Sequence, residues 1–407
     1  MSLPDGALPE MRCVFATLAA RTAERSRTGE PLTAEIRDLA AAGFGRLRVP
    51  AGHGGFGVDL PTLVELLAEA GRADANVPQI LRGHFTTVEI LRHSPSPAQA
   101  AEWLRRIAAG AIFGNAQSEA AADSPDFRPT TTLHEAGGRP VISGVKYYST
   151  GSLYADYIRV AARTADGGTT FAVVDARHPG VTHADDWDGI GQRLTGSGTT
   201  RFDAVPVCAG GDLGRGERQL RSIQAFTQLV HLANLAGIAR NLVDDAAELV
   251  RSRVRTGLHA LSERATTDPE VLAVVGELYR HSRTADALLI QAATGLERAN
   301  RLAEAGLEDA DAAYARAFVD VSAAQVTIIE AVLDAGTRIF NAGGASAVRE
   351  GAALDRHWRN ARTLASHNPV VYKPRLIGDH VVNAAAPRSF HDRFTPAART
   401  AGERSRS

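Results

Sequence analysis

The stretch Pro140-Val-Ile-Ser-Gly-Val-Lys-Tyr-Tyr148 joins β-branched and aromatic residues around a glycine and reads as a strand. Segments 130–133, 157–162, 169–174 and 199–205 share its short, alternating character. Gly137-Gly138 and Asp166-Gly-Gly168 lie between them as turn chemistry. Residues 112–215 therefore predict a mostly antiparallel β-domain.

On both sides of this region the period changes. Met11, Val14, Phe15 and Leu18, then Ile36, Leu39 and Phe44, recur at helical spacing. Ala51-Gly-His-Gly-Gly-Phe-Gly57 interrupts them. It lacks the lysine and the preceding strand of a phosphate loop, so it reads as a turn. Leu63, Val64, Leu66 and Leu67 predict a helix over 60–73, and 88–91 and 98–109 extend the helical block. Beyond the β-domain, 222–251, 270–299, 309–340 and 356–364 are alanine-rich and periodic, as in an antiparallel bundle. The expected fold is α+β. A helical domain spans 8–111, the β-domain 112–215, a four-helix bundle 216–385 and a polar tail 386–407.

Composition narrows the function. The 407 residues include 45 Lys plus Arg against 46 Asp plus Glu, a net charge of −1. That balance supplies no excess positive charge for nucleic acid. Cys13 and Cys208 are the only cysteines. They exclude a disulfide scaffold or a cysteine-rich metal site and fit a reducing cytoplasm. No apolar run is long enough to span a bilayer, and no basic, apolar leader opens the chain. Only Lys146 and Lys373 are lysines, and the arginine excess reads as the mark of a GC-rich genome.

The chain holds no Gly-x-Gly-x-x-Gly opening a helix, no Walker loop, no His-Glu-x-x-His and no Gly-x-Ser-x-Gly. Two of its thirteen histidines stand out. His84 lies in a segment suited to burial, and His367 in Ala-Ser-His-Asn-Pro369, where proline ends a helix.

The helix–β–helix order and several segments resemble the acyl-CoA dehydrogenase superfamily. Gly43-Phe-Gly-Arg-Leu-Arg-Val-Pro50 is similar to its N-terminal signature, and Gly144-Val-Lys-Tyr-Tyr-Ser-Thr-Gly151 to Gly-x-Lys-x-Trp-Ile-Thr-Asn. Gly189-Ile-Gly-Gln-Arg193, Gly237-Ile-Ala-Arg240 and Arg359-Asn-Ala-Arg362 follow in the family's order. The two positions where the family carries its catalytic glutamate are here Asn368 and Thr227. Neither side chain is a general base near neutral pH. Gly114-Asn-Ala-Gln-Ser-Glu119, Arg193-Leu-Thr-Gly-Ser-Gly198 and His367-Asn-Pro369 instead resemble the flavin-dependent monooxygenase branch.

That resemblance implies a two-component enzyme. It takes reduced FMN or FAD from a partner flavin reductase, adds O2 at flavin C4a as a hydroperoxide, and oxygenates a small-molecule substrate at sulfur, nitrogen or aromatic carbon. It implies His84, His367 and Asn115 as catalytic donors. Ser118, Tyr148 and Thr150 are expected against the flavin ring, and Arg193, Ser197, Arg253, Gly343 and Gly344 around the cofactor and its phosphate. Phe85, Thr227 and His231 are expected to line the substrate pocket. No metal, nucleic acid or membrane is expected, and relatives of this kind assemble as homotetramers. The alternative is an acyl-CoA dehydrogenase or desaturase with a relocated base.

Overall fold

The structure, a computed structural model, describes residues 3–120, 128–213 and 217–387, the side chains of 217–221 excepted. The first helices are α1 (Ala7–Thr28), α2 (Thr33–Ala41), α3 (Leu60–Ala73), α4 (Asn76–Arg92) and α5 (Pro97–Ala108). Helix α3 has the predicted bounds because its start is capped: Asp59 accepts the Thr62 N–H at 3.0 Å, with Pro61 in the first turn. The glycine-rich segment after Pro50 is a turn, as expected, with Gly54 at φ 88° and Gly57 at φ 58°.

Strands β1 (Phe113–Ala116), β2 (Thr132–Ala136), β3 (Arg139–Lys146), β4 (Tyr157–Arg163), β5 (Thr169–Asp175), β6 (Val181–His183) and β7 (Thr200–Asp212) form one sheet. The order β1-β4-β2-β3-β7-β5 closes on itself because β4 also pairs with β5. Most pairings are antiparallel, but β1 runs parallel to β4. Strands β1 and β6 were not anticipated. Each is too short to show a period.

The C-terminal part contains α6 (Glu217–Ser252), α7 (Pro269–Glu304), α8 (Ala310–Gly343), α9 (Asp355–Ser366) and α10 (Lys373–Asn383). The first four are the expected bundle helices, and α10 is an addition. From residue 388 onward the expected tail lies outside the described residues.

The two helical regions share one apolar core. Phe44, Leu63, Leu67 and Phe85 pack in it with Phe226, Leu229, Leu289 and Val332. The sheet has its own core of Ile142, Ile158, Val160, Val174 and Val205. Val88, Trp103 and Phe113 seal α4 and α5 onto β1. Helix α4 thus touches all three parts, and the candidate residues gather along it.

Candidate active site

Helix α4 crosses β1 at Gly83, where an added Cβ would lie 2.7 Å from the Asn115 Cβ. Only glycine admits that approach. Asn115 Oδ1 accepts from Arg159 at 3.2 Å, and the Asn115 N–H donates to the Thr150 carbonyl at 3.2 Å. Gly151 follows at φ 79°, with its α-carbon against α4: an added Cβ would sit 2.3 Å from the Ile80 carbonyl oxygen. Gly151→Ala is therefore expected to lower stability by at least ~1 kcal/mol in a denaturant titration, from the left-handed backbone alone.

Thr150 begins a chain of hydroxyls. Its Oγ1 lies 2.9 Å from Ser197 Oγ, which lies 2.7 Å from Thr195 Oγ1. Thr195 donates to the Gln192 carbonyl at 2.8 Å. Each hydroxyl has one proton, so Ser197 donates to Thr195 and Thr150 to Ser197. Thr150 is left able only to accept. Nearby, the Ser118 carbonyl accepts the Tyr147 N–H at 3.1 Å and the Ser118 side chain faces outward. Tyr148 is half exposed, with its ring edge-on to Trp187 at 5.6 Å. Lys146 donates to Glu119 at 2.7 Å and ties this edge together. Partial burial works to raise the Glu119 pKa, but hydrogen bonds from Lys146 and Thr130 bring it down to about 2.

A second cluster sits where α4, α6, α8 and the end of α9 meet. Arg82 donates to His367 Nε2 at 3.1 Å. Arginine can only donate, so Nε2 accepts and the His367 proton resides on Nδ1. The His231 and His367 rings are 4.5 Å apart, and His231 Nε2 is 3.0 Å from Gln79 Oε1. Desolvation lowers the pKa of both histidines, and the Arg82 charge lowers each further. Both are neutral at pH 7.

Gln228 Oε1 accepts from Gln325 at 3.2 Å and from Asn368 at 3.0 Å. Amides thus surround Asn368, one of the two positions where the resemblance expects the dehydrogenase base. Thr227 donates to the Gln224 carbonyl one turn back in α6. Asp245 fixes α9 by accepting from Arg356 at 2.5 Å and bonding His357 Nε2 at 2.7 Å. Asn360 on α9 accepts the Gln192 N–H at 2.7 Å, so the helix that leads to His367 also buttresses the hydroxyl chain.

Two expected residues have other surroundings. The Phe113 N–H donates to His84 Nδ1 at 3.2 Å, so Nε2 carries the proton and donates to the Gly45 carbonyl at 2.7 Å. The ring is fully buried and has no nitrogen left for a reacting group. Phe85 is also fully buried, packed edge-on against Phe44 at 5.8 Å, and belongs to the core. Burial lowers the His84 pKa to about 4 from 6.5. Its contribution to stability is complete above pH 6.5 and is lost as pH falls toward 4, by about 3 kcal/mol in all. His84→Ala would also leave two backbone groups unpaired and is expected to cost roughly 3 kcal/mol. His367→Ala, which removes a side-chain hydrogen bond and leaves the backbone bonds in place, should change stability by less than about 1 kcal/mol. Urea titrations of both variants at pH 7 and pH 5 check this contrast.

The phosphate candidates are dispersed. Arg193 is exposed on the loop before β7. Arg253 donates to the Ala342 carbonyl at 2.8 Å, which puts it beside Gly343 and Gly344 at the end of α8. Along α6 the step from His231 to Arg253 spans roughly 33 Å at 1.5 Å per residue. Sequence reading also missed Arg82 and Gln79. Among many arginines, what marks Arg82 is its bond to His367, and that is a three-dimensional property.

Comparison with known proteins identifies the family. The chain matches the N-terminal, middle and C-terminal domains of acyl-CoA dehydrogenase over residues 11–111, 114–205 and 229–372. It is 30% identical to a dibenzothiophene monooxygenase of Mycolicibacterium goodii, over 89% of this chain and 90% of that protein. The structure of methanesulfinate monooxygenase MsuC from Pseudomonas fluorescens superposes with a TM-score of 0.85 at 25% identity, covering 96% of this chain and 99% of that one. FMN-bound TdsC from Paenibacillus sp. A11-2 superposes at 0.84 with 30% identity, covering 94% and 99%. The chain belongs to the acyl-CoA dehydrogenase superfamily, in its flavin-dependent monooxygenase branch. It is accordingly an oxidoreductase. Among the described residues no helix is long and apolar enough to cross a membrane.

Proposed function

We propose that this chain is the oxygenase of a two-component system. It takes reduced FMN from a separate reductase and uses O2 to oxygenate a small organic molecule. The observation that carries this reading is the amide cluster of Gln228, Gln325 and Asn368 in place of a carboxylate base, beside a neutral His367. Among the described residues of this cluster, no carboxylate stands ready to abstract a proton next to a thioester. A flavin oxygenase needs none.

Bound reduced flavin supplies the electrons that activate dioxygen. The rest falls to the chain. Ser118, Tyr148, Thr150 and Ser197 lie together at one edge of the β-domain and suit an isoalloxazine ring. The acceptor-only Thr150 hydroxyl suits the reduced form, whose N5 carries a hydrogen. His367 Nδ1–H and the Asn115 amide are the donors for the reacting oxygen. His84 positions α4 against β1 and the Gly45 turn and does not react. Thr227 and His231 border the substrate. Arg253, just past the far end of α6 and beside Gly343 and Gly344 at the end of α8, is too far from His231 to join this group within one chain, so a phosphate role for these residues requires a second copy, as in a homotetramer. A cytoplasmic setting fits the free thiols of Cys13 and Cys208.

Anaerobic equilibrium dialysis against reduced and oxidised FMN tests the reading. Reduced FMN is expected to bind at least tenfold more tightly. Ser197→Ala frees the Thr150 proton and should narrow that preference. Equal or absent binding of both forms contradicts the proposal. Tightly held FAD that is bleached by an acyl thioester favours the dehydrogenase alternative.

A further inference from the structure

Among the described residues, five buried or part-buried cations are met by carboxylates. Arg25 pairs with Glu35 and Asp74, Arg48 with Glu89 and Glu297, Arg240 with Glu65 and Asp286, Arg356 with Asp245, and Lys146 with Glu119. Arg82 is different. Among the described residues it has no acidic partner, its Nε is buried with no hydrogen-bond partner, and its one acceptor is His367 Nε2. Lys373 is a second case close by. It donates to Ser322 at 3.3 Å and lies 4.6 Å from the Phe318 ring centre, with no carboxylate partner among the described residues. Ser322 is one turn of α8 from Gln325, which bonds the Gln228 that Asn368 also reaches.

Among the described residues, no Asp or Glu bonds or pairs with Gln79, Arg82, Gln228, His231, Gln325, His367, Asn368 or Lys373. The histidines are neutral. Among the described residues this cluster therefore holds positive charge with no acidic partner, which is costly to desolvate unless something supplies the counter-charge. Desolvation alone lowers the Arg82 pKa, to about 10, and leaves it fully protonated at pH 7.

We propose that the substrate is a small organic oxyanion, a sulfinate or carboxylate, held by the Arg82 guanidinium beside His367. This deepens the proposed function and rests on it. A guanidinium fork matches two oxygens of such a group. The bond to His367 Nε2 sets the Arg82 head and fixes the proton on Nδ1. One contact thereby orients both the anion-binding group and the oxygen-side donor. Lys373 adds attraction at longer range.

The probes are benzenesulfinate and benzoate against neutral benzamide, by calorimetry, with and without anaerobic reduced FMN. The anions are expected to bind at least tenfold tighter than benzamide. Arg82→Gln should erase that difference, Arg82→Lys should restore part of it, and reduced FMN should bind both variants as it binds the wild type. Equal binding of anions and amide, no anion binding at millimolar concentration, or an anion preference that survives in Arg82→Gln overturns the inference. Loss of reduced FMN binding in Arg82→Gln with the anion preference intact also overturns it, and assigns the cation to the flavin. The arm without flavin reads the anion preference even if reduced FMN fails to bind, a failure that would sink the proposed function instead.

Discussion

Replacing His367 with alanine is expected to cut coupled oxygenation by ~10²-fold or more, while reduced FMN binding persists. The reason lies in the proton inventory. Arg82 donates to Nε2, so the imidazole holds its single proton on Nδ1, and desolvation together with the Arg82 charge keeps the ring neutral. It acts as a fixed hydrogen-bond donor, not as a cation that hands over a proton. Removing it takes away that donor and the acceptor that sets Arg82. Electrons from reduced flavin would then leave as hydrogen peroxide. The check is the ratio of peroxide to product per NADH consumed in the reductase-coupled assay. A ratio unchanged from wild type removes His367 from the chemistry. His367→Gln keeps a donor and should recover part of the coupling. The pH profile separates this role from that of a cationic acid. A neutral donor gives a flat rate across pH 6–8, because the ring does not titrate there.

The second large effect is on stability. Arg48 is fully buried, and its Nε donates to Glu89 at 2.7 Å, its Nη2 to the same carboxylate at 3.1 Å, and its Nη1 to Glu297 at 3.3 Å. Glu89 lies on α4, Arg48 just before the glycine-rich turn, and Glu297 on α7. The trio joins the N-terminal helices to the bundle. Burial works to raise the Glu89 pKa, but the charges of Arg48 and Arg92 hold it near about 2. Arg48→Ala would strand that carboxylate in the interior and is expected to cost about 3–5 kcal/mol. Much of the loss should return when Glu89 is replaced as well, as Arg48→Met with Glu89→Leu. Denaturant midpoints of the single and double variants measure this. A single variant within about 1 kcal/mol of wild type would show that the pair does not lock these elements together.

The sequence carries long-period signals well and short ones badly. Helix α3 was legible because Leu63, Val64, Leu66 and Leu67 lie behind an Asp-Leu-Pro start that caps it. Strands β3, β4 and β5 were legible because β-branched runs end in glycine turns. Strand β1 has only Phe113-Gly-Asn-Ala116, with a glycine in the middle, and no period can show in four residues. Helix α4 was visible only near its end. It is buried on nearly every side, so its apolar residues follow no stripe, and Pro78 and Gly83 read as breakers. Yet that helix carries Gln79, Arg82 and His84.

The site was half legible. The resemblance picked out Asn115, Ser118, Tyr148, Thr150 and Ser197, and the fold brings them to one edge. It also picked His84, whose ring turns out to be spent on the Gly45 carbonyl and the Phe113 N–H. A buried, doubly bonded histidine and a reactive one look the same in a string of letters. Arg82 escaped for the opposite reason: its significance is the carboxylate it lacks.

The most direct test of the account is the fate of reduced FMN when air is admitted. Free reduced FMN passes its electrons to oxygen and releases hydrogen peroxide at once. With the chain in stoichiometric excess and no substrate, the account predicts that peroxide release is delayed by at least tenfold, and that the His367→Ala protein shortens the delay. Peroxide appearing at the same rate with and without the protein would contradict the claim that this chain is a flavin-dependent oxygenase.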